Sequence, residues 1–186
     1  MRLPAEARSA AAAAGLSVAL AVSGCGSSPE PPECPPVSVL GEAASLTRFA
    51  QGRGRDLVDV DFRAELTDLR SGCIYAKEEG GASKLVVAVA PSIAAARGPA
   101  NEDRKADFQY FVSVVGGDAD ILNKQLFPVS VAFPGNSTRV DIVQDDPPVS
   151  IDLPIAAAGE EYYEILLGLQ LSEDELQYNR RMAGGR

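Results

Sequence analysis

The chain contains no histidine and no tryptophan in 186 residues. Without histidine, Ser-His-Asp and Cys-His catalysis are excluded, as is every metal site that uses an imidazole. Without tryptophan there is no Trp-lined platform for sugars. Positive charge is also scarce, with 17 Lys and Arg against 26 Asp and Glu and a formal net charge of −9. That balance excludes non-specific nucleic-acid binding, which needs cations to displace counterions from phosphate. The Ser-x-x-Lys, Gly-x-Ser-x-Gly and Gly-x-x-x-x-Gly-Lys motifs of acyl transfer and nucleotide binding are missing too. What remains is 46% hydrophobic and 23% charged. This is the balance of a globular protein long enough for one ordinary domain.

The first 24 residues read as an address. Arg2 and Arg8 give a weakly positive start, partly offset by Glu6, and an apolar stretch runs from Ala10 to Val22. The stretch is too short for a permanent membrane span but fits a signal-peptide core. It ends in Val22-Ser23-Gly24-Cys25. This resembles the lipobox of bacterial lipoproteins, in which an aliphatic residue and two small residues precede a cysteine. The resemblance covers only the leader. It implies signal peptidase II cleavage before Cys25, a diacylglycerol on the Cys25 sulfur and usually an acylated amine. Gly26, rather than Asp, follows the cysteine, which by the same analogy implies the outer membrane. The competing reading is an ordinary secretory peptide cut near Ser23, with Cys25 incidental. Two or three acyl chains, at about 0.8 kcal/mol per buried CH₂, would anchor the chain almost permanently. The acidic body is not suited to anionic headgroups, so the anchor alone is expected to hold it.

Residues 25–36 are expected to be a tether. Gly26-Ser-Ser-Pro-Glu-Pro-Pro-Glu-Cys-Pro-Pro36 is proline-rich and has no apolar side chain except Cys34. Such a segment is a semi-stiff spacer. Given that compartment, the two remaining cysteines, Cys34 and Cys73, read as one disulfide pinning the tether to the domain. A thiol pair for redox or metal chemistry has no Cys-x-x-Cys motif to support it.

Residues 37–171 read as strands. Apolar residues at 58, 60, 62, 64 and 66 alternate with charges, the pattern of a half-buried strand. Lys84 to Ala90 suits a central strand, apolar on both sides. Further alternating runs cover 107–114, 127–133, 140–142, 149–153 and 162–171, with a first strand at 37–40. Cys73 to Ala76 reads as a short strand after a Ser71-Gly72 turn. Pro128 demotes its strand to an edge or its start. Turn chemistry at Gly52, Glu79-Gly-Gly, Gly116-Gly-Asp, Pro134-Gly-Asn and Asp145-Asp-Pro-Pro separates the runs. The expected fold is all-β, an antiparallel sandwich of seven or eight strands whose outline resembles immunoglobulin-like domains in architecture only. Ala43 to Phe49 fits a short helix or an irregular strand. In residues 172–186, Ser172-x-x-Glu175 is a capping box, predicting a helix over Glu173 to Met182.

The chemistry-bearing residues are acidic. Asp59, Asp61 and Glu65 share the wet face of one strand, where solvation accounts for them. Asp118, Asp120, Asp145 and Asp146 lie in loops whose oxygens suit Ca²⁺, although turn chemistry explains the same residues. Paired carboxylates would also serve a glycosidase, but 26 acidic residues make pairs trivially available. Gly52-Arg-Gly-Arg-Asp56 lacks the third glycine of a phosphate loop and reads as a connection. By alternation, either Tyr162 or Tyr163 must face outward.

The expected role is therefore that of a lipid-anchored envelope lipoprotein facing the periplasm, without catalysis or a cofactor. It would bind the membrane through its N-terminal lipid and an envelope protein partner, one route being an open sheet edge. The alternatives are a carboxylate-based hydrolase of envelope glycans and a Ca²⁺- or small-ligand-binding module.

Overall fold

The computed structural model describes residues 33–52, 54–77, 83–117, 119–155 and 162–184. The leader, Cys25 and tether residues 26–32 lie outside them, as do the Glu79-Gly-Gly turn and Asp118. The described residues form nine strands and one helix: β1 (Val37–Val39), β2 (Ser45–Phe49), β3 (Val60–Lys77), β4 (Ser83–Arg97), β5 (Lys105–Val115), β6 (Ile121–Ala132), β7 (Arg139–Val143), β8 (Val149–Pro154), β9 (Glu164–Leu169) and α1 (Glu173–Gly184). One sheet has the order β1-β9-β5-β6. The other has the order β2-β3-β4, with β7 and β8 sharing the far edge of β4. The expected all-β sandwich with a short C-terminal helix is thus the fold found, with nine strands instead of seven or eight. All pairs are antiparallel except β1 with β9.

Alternation makes the core. On β3, Val60, Phe62 and Ala64 are buried while Arg63 and Glu65 are exposed. On the facing sheet, Phe108, Tyr110, Val112 and Val114 point inward beside Ile165, Leu167 and Leu169. β4 is the central strand that its two-sided apolar run implied, pairing with β3, β7 and β8. Tyr110 stacks on Phe127 with ring centroids 5.0 Å apart, and burial pushes its phenol pKa up.

The Ser71-Gly72 turn is not there. β3 runs unbroken for 18 residues, through Ser71 and Gly72 to Lys77. The reason is a bulge: Leu66 pairs with Ile93 and Asp68 with Ser92, leaving Thr67 without an opposite residue. The core-side series therefore switches from Val60, Phe62, Ala64 and Leu66 to Leu69 and Cys73, opposite Pro91 and Val87, while Ser71 and Tyr75 of the same series are exposed. An inserted residue flips the phase of a period-two pattern, and a phase flip reads in sequence as the end of one strand and the start of another.

Of the two forms open to Ala43 to Phe49, the irregular strand is the one found: β2 covers Ser45–Phe49 with a register shift at Arg48/Phe49, after a 3-10 turn at Gly41–Ala43. The capping box forms: the Ser172 N–H donates to Glu175 Oε2 (2.8 Å) and the Glu175 N–H to Ser172 Oγ (3.3 Å). Its helix lies along the outer edge of β2. Asn179 Nδ2 donates to the carbonyls of Glu42 (3.0 Å) and Ser45 (2.7 Å), and Tyr178 meets Phe49 edge-on at 5.2 Å. Arg48 joins the layers, donating to Glu175 Oε1 and to the Asp107 carbonyl while its guanidinium covers Phe62. Arg180 grips Glu42 with two hydrogen bonds, and that contact holds the Glu42 carboxyl below the usual carboxylate range.

Candidate functional site

A sheet edge exposes unpaired backbone groups, so each edge must be covered, shortened or used. The β2 edge is covered by α1, and β1 has only three residues. The β7–β8 edge is interrupted by Asp145-Asp-Pro-Pro148. Beyond β2, the free half of β3 carries the expected disulfide: Cys73 is bonded to Cys34, with Cα atoms 6.0 Å apart. Because Cys34 leads into β1, this bond ties the edge of one sheet to the edge of the other.

β6 is different. It is 12 residues long, and no described strand pairs with its outer side. Pro128 sits in it, so the expected edge assignment is the observed one. The Phe133 N–H donates to the Arg104 carbonyl at 2.9 Å. In an antiparallel pair the groups of successive residues point alternately to the two sides. Counting from Phe133, the groups of Phe127, Val129 and Val131 face β5, whereas those of Lys124, Leu126 and Ser130 face outward. Pro128 falls in the outward series, so its missing N–H costs the β5 ladder nothing and ends the run of free donors.

The outer face beside this edge is apolar at its centre. Phe111 lies between Leu126 on β6 and Gly168 on β9. Gly168 is required there: a Cβ at this position would sit 2.7 Å from both Phe111 Cζ and Ala43 Cβ. Lys124 turns away from the edge, its Nζ 4.3 Å from the Phe111 ring centroid and 3.0 Å from Gln170 Oε1. A lysine on an edge strand ordinarily blocks pairing, but here its ammonium is held on the sheet face by a cation–π contact and a hydrogen bond. Leu126 is left 48% exposed beside an open ladder. The sequence signal for this arrangement was a glycine in the alternating run 162–171, which marks a close approach. Nothing local told what approaches it.

The acidic candidates are dispersed into separate contacts. Asp120 closes the β5–β6 hairpin, its carbonyl accepting from the Gly116 N–H at 2.9 Å. Asp145 accepts from Arg70 at 2.8 Å, and Asp146 is exposed in the β7–β8 connection. Among the described residues no three Asp, Glu or Cys side chains come together as a metal cage. Asp59 bonds to the Asp56 N–H, Asp61 accepts from Asn101 Nδ2 at 2.7 Å, and Glu65 is exposed. Gly52 to Asp56 lies in the connection between β2 and β3, as read from sequence. Tyr162 is the outward member of its pair, while Tyr163 packs against the core. A groove of about 850 Å³ runs between α1 and the β2–β3 pair, lined by Glu42, Arg63, Glu65, Tyr178 and Met182. It is open, and no carboxylate among the described residues is fully buried.

No family model matches the chain, and no curated protein does. Among solved structures, the chain is similar to the variable (V) domain of the AgI/II polypeptide BspA of Streptococcus agalactiae. The identity is 12%, over 69% of this chain and 73% of that one, and the TM-score is 0.18.

Proposed function

We propose that the chain is a lipid-anchored lipoprotein of the bacterial envelope, held in the outer membrane through Cys25 and facing the periplasm. In this reading it works without catalysis, by adding a partner protein's strand to β6. The lipobox supplies the anchor. The observation that carries the binding role is the open β6 edge, whose outward backbone groups at Lys124 and Leu126 lie beside exposed Leu126 and the Phe111 ring. Strand addition takes affinity from main-chain hydrogen bonds and specificity from alternate side chains. Here the outward residues and the apolar face coincide.

The test is a photo-crosslinker placed at residue 126 in intact cells. It is expected to capture one specific envelope protein, whereas the same group at Ser150, exposed on the other sheet, captures none. Compared with Lys124→Ala, which also lacks the side-chain contacts to Phe111 and Gln170, Lys124→Pro removes an outward N–H without touching the β5 ladder. It is expected to weaken capture about tenfold, the equivalent of one net hydrogen bond. Equal, non-specific labelling at 126 and 150 contradicts the edge as a docking site.

A further inference from the structure

The disulfide fixes where the tether leaves the domain. β1 begins beside the start of β9, since the Ile165 N–H donates to the Pro36 carbonyl. The start of β9 lies opposite the end of β5, with Glu164 paired to Val115. Cys34 therefore enters at the end of the sandwich where β5 turns into β6. Its partner Cys73 lies near the turn of the β3–β4 pair, four residues before the end of β3.

Several exposed apolar side chains lie at that end, while Leu57 and Val58 are exposed at the other. Ile74 is 66% exposed, Ile121 66%, Leu122 58% and Tyr162 60%. Ile74 adjoins the disulfide, Ile121 pairs with Val115, and Tyr162 stands two residues before β9. The β6 register slips between Asn123 and Ile121, and Leu122 packs towards Gly116, so the β5–β6 turn carries two large aliphatic groups side by side. These four come from β3, β6 and the segment before β9. They share an end, not a strand.

We propose that this end is a lipid-facing end: Ile74, Ile121, Leu122 and Tyr162 enter the headgroup region of the membrane that holds the anchor. This rests on acylation of Cys25, the reading given above. Nine residues of chain from Cys25 to Cys34 reach at most about 30 Å, whatever their conformation. The headgroup layer is only about 5–8 Å deep on each side. The anchored chain thus joins the domain at this end. A short linker raises the local concentration of the second contact to about the millimolar range, so weak interfacial affinity suffices. Tyrosine and aliphatic side chains suit that layer, where a ring end stays wet and its body does not. From Cys25 on, the chain has 15 Lys and Arg against 25 Asp and Glu, a formal net charge of −10, so anionic lipid opposes the contact.

The absence of tryptophan makes the test clean. The acylated full-length product is reconstituted in phosphatidylcholine vesicles as Leu122→Trp, Tyr162→Trp or Leu57→Trp. Leu57 is 68% exposed in the 3-10 turn before β3, at the opposite end. Emission from Leu122→Trp and Tyr162→Trp is expected to shift to shorter wavelength and to be quenched by brominated acyl chains. Leu57→Trp stays at the emission of water-exposed indole, unquenched, and added phosphatidylglycerol reduces the quenching of the other two. Circular dichroism checks that each variant folds. Two near-end indoles no more quenched than Leu57→Trp overturn the proposal, and a blue shift without bromolipid quenching overturns it in favour of a protein cover. A mass spectrum of the same sample separates the two levels. An acylated chain without quenching removes the lipid contact alone, whereas a bare Cys25 removes the anchor and the contact with it.

Discussion

Cys73→Ser lowers the free energy of unfolding by about 4 kcal/mol, the chain-entropy value for a loop of this size. The two cysteines are 39 residues apart in sequence. A domain of this kind has only about 5–15 kcal/mol of net stability, so the loss removes a large share of it. The effect should concentrate at one end, because β1 is otherwise held by a three-residue parallel ladder to β9 and by the Leu40 N–H to the Leu167 carbonyl. Urea titration of the oxidised wild type, the reduced wild type and Cys73→Ser checks this. The last two should share a lowered midpoint, and amide exchange should rise first at residues 37–40. Coincident midpoints for all three would show that the cross-link does not restrict the unfolded chain as described.

Gly98→Ala is the second large effect, destabilising by about 3 kcal/mol through overpacking against the main chain. At Gly98 the chain leaves β4 to cross to β5 in the other sheet. It does so by pressing on the start of β3: the Gly98 N–H donates to the Asp61 carbonyl at 2.7 Å and the Ala100 N–H to the Val60 carbonyl at 2.9 Å. A Cβ on residue 98 would lie 2.1 Å from the Val60 carbonyl oxygen and 2.8 Å from that of Asp61. Neither oxygen is the end of a flexible side chain, so the corner itself must open. That corner is also held by Asn101, whose Nδ2 donates to Asp61 and to the Lys105 carbonyl. Gly72→Ala is the matched control, since a Cβ there meets nothing within 4 Å. In a strand it is neutral or gains about 0.5–1 kcal/mol. Thermal melts should show Gly98→Ala about 10 °C below wild type and Gly72→Ala at or above it.

These two positions show which physics is legible along a chain. Residues 60–66, 84–90, 107–114 and 149–153 announce strands because burial of one face imposes period two locally, whereas Val58 and Asp59, read into the first of these runs, form a 3-10 turn with Val58 exposed. Ser172 and Glu175 announce a helix start because the capping partners are three residues apart. Pro128 announces an edge because a missing donor is tolerated on only one side of a ladder. The bulge at Thr67 hides the continuity of β3, since a phase flip and a turn leave the same trace. Gly98 carries no local mark, and Gly168 marks a close approach without showing to what, because what forbids a side chain there is the Val60 carbonyl in one case and the Phe111 ring in the other. Those contacts depend on strand order, and strand order depends on pairings such as β1 with β9 that join residues more than 120 positions apart. The open edge of β6 is of the same kind. It becomes a candidate site only once α1 is seen to cover β2 and the disulfide to clip β3 to the strand leading into β1.

The most direct measurement of the central claim is the intact and N-terminal peptide mass of the protein extracted from its own cell envelope. The account predicts a chain that begins at Cys25 and carries a diacylglycerol on its sulfur. A chain beginning elsewhere, or Cys25 with a free thiol, contradicts it.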